Sequence, residues 1–110
     1  MTKYEIQVSE DKSALALAAS DLIAQVIDST LKIKTRAKIA LCGGSTPKTA
    51  YTLLGKKNID WKKVDLFLGD ERWVDSVSQD SNCFLLNHSL FKEGNPSLEA
   101  SFFSVSTVEL

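Results

Sequence analysis

Apolar and polar residues alternate through Tyr4-Glu5-Ile6-Gln7-Val8-Ser9, which predicts a half-exposed strand. Ser9, Glu10 and Asp11 supply caps and early negative charge for a helix. Leu15, Ala18, Leu22, Val26 and Ile27 then recur at three- and four-residue spacing. They predict a long helix that turns this stripe to the core and fades near Leu31 to Lys34. Ile39 to Cys42 is continuously apolar, so Lys38–Cys42 reads as a strand covered on both faces. A helix follows Thr46 and runs to about Leu54, with Ala50, Leu53 and Leu54 toward the sheet and Gly55 as its stop. Asn58 to Lys63 is a loop whose Trp61 packs over the core edge. Val64 to Gly69 is again nearly all apolar and predicts a central strand. A loop rich in Ser and Asp, Trp73 to Asp80, leads to helical spacing over Ser81 to Phe91 through Cys83 or Phe84, Leu86, Leu90 and Phe91. Gly94, Asn95 and Pro96 end it. Ala100 to Val105 fits a short strand or an extended connection.

Strand, helix, strand, helix, strand, helix is the order of a parallel α/β sheet with right-handed crossovers. The 110 residues suit one domain, 1–110, and contain no repeat, low-complexity tract or linker. The 44% hydrophobic and 25% charged content is ordinary for a globular protein. A net charge of -1, with the lysines scattered at helix ends and loops, argues against nucleic acid as a partner. Cys42 and Cys83 lack metal-type spacing and read as buried or half-buried free thiols of a reducing compartment. The apolar run Ala14 to Ala19 is too short for a signal core or a membrane span, so no membrane partner is expected and the cytoplasm is the expected location.

The candidate chemistry lies where two strands end. Gly43 and Gly44 allow backbone angles closed to other residues and let a ligand approach the main chain. Ser45 or Thr46 can cap the next helix, and Pro47 suits its first position. The helix N-terminus then favours an anion, a phosphate or a carboxylate, although the same residues would serve as a plain strand-to-helix turn. The next strand runs directly into Asp70-Glu71-Arg72. In open parallel sheets ligands bind beyond the carboxyl ends of the strands. If the two strands are neighbours, an anion cradle and a charged triplet share one crevice. Asp70 and Glu71 offer a base or anchors for substrate hydroxyls, and Arg72 offers a partner for a phosphate or for the neighbouring carboxylates. A loop cap and a surface ion pair are the plainer roles for these three.

The combination Leu41-Cys42-Gly43-Gly44-Ser45-Thr46-Pro47-Lys48, Asp60-Trp61, Phe67-Leu68-Gly69-Asp70-Glu71-Arg72-Trp73-Val74 and Asp80-Ser81-Asn82 resembles the 6-phosphogluconolactonase family, over residues 4 to 105. The resemblance implies a Rossmann-like α/β fold and hydrolysis of 6-phospho-D-glucono-1,5-lactone to 6-phosphogluconate, the second step of the oxidative pentose phosphate pathway. It implies no metal and no organic cofactor. A base activates water, and the water attacks the lactone carbonyl. Gly43, Gly44, Ser45 and Thr46 would line the sugar-phosphate pocket. Asp70 and Glu71 would orient substrate hydroxyls or water in supporting catalytic roles. Arg72 would bind the phosphate or hold the pocket, and Ser81 and Asn82 would start the following helix beside it. The related glucosamine-6-phosphate deaminases carry a Met-Asp-Glu-Tyr type of stretch where this chain has Gly69-Asp70-Glu71-Arg72.

The family's members are longer, and their later part holds a glycine-rich Asp-Gly-His segment whose His is the favoured general base. This chain has no such segment. Its one histidine, His88, falls on a polar helix position and reads as a solvent-facing or capping residue. The expectation is a truncated Rossmann-like parallel sheet with flanking helices, the N-terminal half of a lactonase. It keeps part of the substrate pocket and has an open sheet edge suited to self-association. A non-catalytic sugar-phosphate-binding module and a glucosamine-6-phosphate deaminase-like enzyme are the alternatives.

Overall fold

The computed structural model describes residues 11–69, 71, 74 and 78–104. The strand expected at Tyr4–Ser9 lies outside these residues. Helix α1 spans Lys12–Leu31, strand β1 Ala37–Leu41, helix α2 Ser45–Leu54, strand β2 Val64–Leu68, helix α3 Asn82–Asn87 and strand β3 Ser101–Phe103. Short 3-10 turns cover Trp61–Lys63 and Pro96–Glu99. Asp11 caps α1, its Oδ1 accepting from the Ala14 amide at 2.7 Å. The strands are parallel in the order β1-β2-β3, so β2 is central as its apolar run requires.

The register aligns Ala37, Ile39 and Leu41 with Val64, Leu66 and Leu68, and Leu66 with Phe102. These side chains share one face because strand side chains alternate. That face meets Tyr51 and Leu54 of α2, Ile27 of α1, Leu86 of α3, and Ile59, Trp61 and Leu90 from the connections. Trp61 is buried within this core rather than over its edge, and its Nε1 donates to the Lys57 carbonyl at 3.1 Å. The opposite face is different. Lys38 and Ala40 are exposed, Phe103 is 51% exposed, and Phe67 stacks on Phe103 with ring centroids 5.0 Å apart. Strand β1 is therefore covered on one face, not two. Consecutive right-handed crossovers running in one direction place their helices on the same side of a sheet. On the open face, Arg36 makes a two-point ion pair with Asp65, at 2.5 Å and 3.0 Å. The guanidinium holds the Asp65 carboxyl below its ordinary range.

Helix α1 corrects the predicted stripe. Ala16, Ser20 and Ile27 are buried and Ile23 is half-buried, whereas Leu15, Leu22 and Val26 are 42–53% exposed. The inward arc is rich in small residues, which lets α1 pack closely along α2. By length and composition the whole of α1 is apolar enough to cross a membrane. In this fold it lies instead in the helical layer. Helix α3 ends at Asn87, short of the predicted Phe91. There the chain turns so that the Leu90 carbonyl accepts from Ser97 Oγ at 2.6 Å and Asn95 Nδ2 at 3.1 Å. Gly55 does close α2, but in right-handed helical geometry (φ -62°). It is glycine for want of space: a Cβ there would collide with the Leu90 carbonyl and stand 2.9 Å from Asn95 Nδ2.

Candidate functional site at the carboxyl ends of β1 and β2

Strands β1 and β2 end together, with Leu41 opposite Leu68, and the Gly69 amide continues the ladder by donating to the Leu41 carbonyl at 2.7 Å. The two chain segments singled out for chemistry therefore leave the sheet side by side. Of these, Gly43, Gly44 and Glu71 fall among the described residues. So do the backbones of Ser45 and Thr46, though not their side chains. Asp70 and Arg72 fall outside.

On the β1 side, Gly44 has φ +119° and precedes α2 as its N-cap. Only glycine takes this conformation without strain. Ser45 and Thr46 thus occupy the first two helical positions rather than the cap, and Pro47 the third rather than the first. Proline is still tolerated there, because the first four amides of a helix have no intrahelical partner. The first-turn amides and the helix dipole favour negative charge just beyond Gly44.

Tyr51 fastens this turn from below, a role that no local pattern announces. Its phenol receives the Cys42 amide at 3.1 Å and donates to the Cys42 carbonyl at 2.9 Å. Burial pushes the phenol up to about 12, opposed in part by the hydrogen bond it accepts from the Cys42 amide. Cys42 is exposed rather than buried, since it lies just past the strand end; Cys83 is half-buried, and both thiols are free. The one hint of Tyr51 in the chain is its place on the sheet-facing side of α2, where a phenol needs a polar partner.

On the β2 side, the Glu71 carboxylate is heavily engaged. Its Oε1 accepts from the Asn82 amide at 2.6 Å, and its Oε2 accepts from Ser81 Oγ and the Cys83 amide, both at 2.9 Å. Ser81 is itself the N-cap of α3, accepting from the Cys83 and Phe84 amides. Glu71 thus sits as an anion at the start of α3, where the helix dipole favours it. Burial, and then the nearby Glu71 charge, push the Cys83 thiol up. The two walls touch through Asn82: a Cβ at Gly43 would collide with Asn82 Oδ1 and stand 2.7 Å from its Cγ.

His88 caps the C-terminal end of α3, exposed, with Nδ1 2.8 Å from the Phe84 carbonyl and its ring stacked on Phe84. It is held away from the crevice by these local contacts. Among the described residues no group of three or more His, Cys, Asp or Glu side chains is placed to hold a metal ion. The two strand ends bring together first-turn amides and a helix dipole, which suit an anionic ligand, beside a carboxylate whose oxygens are engaged by the start of α3.

A family model described as glucosamine-6-phosphate isomerases/6-phosphogluconolactonase matches residues 10–109. The 6-phosphogluconolactonase of Nostoc sp. is 40% identical over 80 residues, which cover 73% of this chain and 33% of that relative. The probable 6-phosphogluconolactonase of Dictyostelium discoideum is 41% identical over 86 residues, covering 77% of this chain and 36% of that one. Among solved structures, a 6-phosphogluconolactonase from Shewanella baltica superposes with a TM-score of 0.84 at 31% identity, covering 92% of this chain and 42% of that one. The Trypanosoma brucei 6-phosphogluconolactonase gives 0.79 at 29% identity, covering 93% and 39%. A monomeric glucosamine-6-phosphate deaminase, at 20% identity and a TM-score of 0.69, shares the fold. The chain spans about a third of the length of the curated relatives it matches. With the Rossmann-like parallel sheet, the paired strand ends and the match over residues 10–109 together, the chain belongs to the glucosamine-6-phosphate isomerase/6-phosphogluconolactonase family.

Proposed function

We propose that the chain forms the sugar-phosphate-binding wall of a 6-phosphogluconolactonase, the enzyme that hydrolyses 6-phospho-D-glucono-1,5-lactone to 6-phosphogluconate in the cytoplasm. The observation that carries this reading is the exit of the Gly43-Gly44 turn and the Glu71 loop side by side from β1 and β2. In this reading the α2 N-terminus and the glycine turn meet an anionic or developing negative oxygen. Asp70 and Arg72 act from the loop after β2, on substrate hydroxyls and phosphate respectively. The attacking water needs a base, and His88 is not it: its ring is held at the far end of α3.

The test is a calorimetric titration of the purified chain with 6-phosphogluconate, alongside lactone hydrolysis measured against the spontaneous reaction. Saturable binding of 6-phosphogluconate in preference to glucosamine 6-phosphate, with hydrolysis near background, is expected. Tighter binding of glucosamine 6-phosphate, or fast turnover abolished by His88→Ala, would overturn the assignment. The placement of His88 also favours a second reading, a sugar-phosphate-binding module without catalysis. Preference for a sugar phosphate other than 6-phosphogluconate would favour that module.

A further inference from the structure

We propose that Glu71 and Asn82 are positioning residues that set the width of the crevice by tying the loop after β2 to the glycine turn after β1. The inference rests on the reading of that crevice as the sugar-phosphate site. Among the described residues the strand ladder joins the two segments at their roots, through the Gly69 amide and the Leu41 carbonyl. Beyond that point the connection runs through side chains. Both Glu71 oxygens are taken by donors from Ser81, Asn82 and Cys83, so Glu71 is tied to the first turn of α3. Asn82 is buried and its amide group rests on Gly43, in the space where any other residue would carry its Cβ. Gly43 is therefore a seat for Asn82, whereas the conformational need for glycine belongs to Gly44. A carboxylate with three donors in place orients the helix that spaces the pocket, which is a different task from activating water.

Two measurements on the 110-residue chain test this. Amide hydrogen exchange is compared between wild type and Glu71→Gln, which keeps the side chain's size but replaces one acceptor oxygen with an NH₂ group. Exchange is expected to quicken about tenfold at Asn82 and Cys83, corresponding to about 1.4 kcal/mol, and also across the crevice at Gly44 and Lys48. Quickening confined to α3 would overturn the proposal, since a simple helix cap predicts only that. Second, Gly43→Ala is expected to weaken 6-phosphogluconate binding about tenfold or more, and the added Asn82→Ala to restore most of it by vacating the seat. A double variant no better than Gly43→Ala alone would overturn the proposal. A wild-type chain that binds no sugar phosphate would refute the functional reading alone. The exchange comparison would still decide the positioning role.

Discussion

Replacing Tyr51 by Phe tests whether the glycine turn is anchored from within the fold. The phenol makes two hydrogen bonds to one residue, taking the Cys42 amide and giving to the Cys42 carbonyl. Each such bond contributes about 0.5–1.5 kcal/mol net, so Tyr51→Phe is expected to cost about 1–3 kcal/mol at neutral pH. The phenylalanine ring keeps the apolar burial, which confines the loss to the hydroxyl. The same group predicts a pH dependence. Its folded pKa is raised from 10.0 to about 12. A group whose folded pKa is raised contributes stability that is full below the unfolded value and lost as pH rises through the folded one. The wild-type advantage over Tyr51→Phe should therefore hold below about pH 10 and shrink between about pH 10 and pH 12. A tenfold change in proton affinity is worth about 1.4 kcal/mol, so the shrinkage is of the same order as the advantage. Urea unfolding followed by tryptophan fluorescence at several pH values measures it, with ultraviolet tyrosinate absorbance reporting the titration directly. A difference between the two proteins that stays constant through this window would refute the reasoning. It would mean that the Tyr51 phenol titrates alike in the folded and unfolded chain.

Gly55→Ala sets two effects against each other: alanine is better than glycine in helical geometry by about 1 kcal/mol, but its Cβ would press on the Leu90 carbonyl. Because that obstacle is main chain, and already accepts from Ser97 and Asn95, overpacking at about 1–3 kcal/mol should win; a urea midpoint equal to or above wild type would contradict this. The corrected orientation of α1 predicts that Val26→Lys, on the exposed arc, changes stability by under about 0.5 kcal/mol. Ile27→Ala, one position on and buried, should cost about 2–5 kcal/mol. Equal losses at the two sites in chemical unfolding would show that the outer arc of α1 is covered in solution.

What the sequence made legible was governed by short-range rules. The run Ile39–Cys42 followed by two glycines and a proline marked strand, turn and helix, because each signal acts within a few residues. Val64 to Gly69, nearly all apolar, marked the central strand for the same reason. The inward arc of α1 was not legible. Leucine, isoleucine and valine occur around much of that helix, so apolar spacing alone fits more than one face. The choice belongs to the packing of α1 along α2, which favours the small buried residues Ala16 and Ser20 on the inward arc. At the crevice, the positions of Gly43 and Gly44 followed from the strand end. The engagement of Glu71 with Ser81 to Cys83 did not, since the partners lie ten to twelve positions apart in the sequence. The reason for Gly55 was equally hidden, because it depends on where the Leu90 carbonyl comes to rest.

The all-parallel register also says something about the order in which this sheet assembles. Among the described residues no strand pairs with a hairpin neighbour: Ala37 meets Val64, 27 positions on, and Asp65 meets Ser101, 36 positions on. Contacts of such separation are reached only after a loop has closed, and folding slows as they come to dominate. The two closures differ by only a few tenths of a kcal/mol in chain entropy, too little to set an order by itself. Their rewards differ more, since β1 and β2 align five residue pairs and β3 adds three. The β1–β2 pair, bridged by α2, is thus the natural nucleus and β3 the last strand to dock. The crevice would then take shape early, because the turns that form it leave the two strands that pair first.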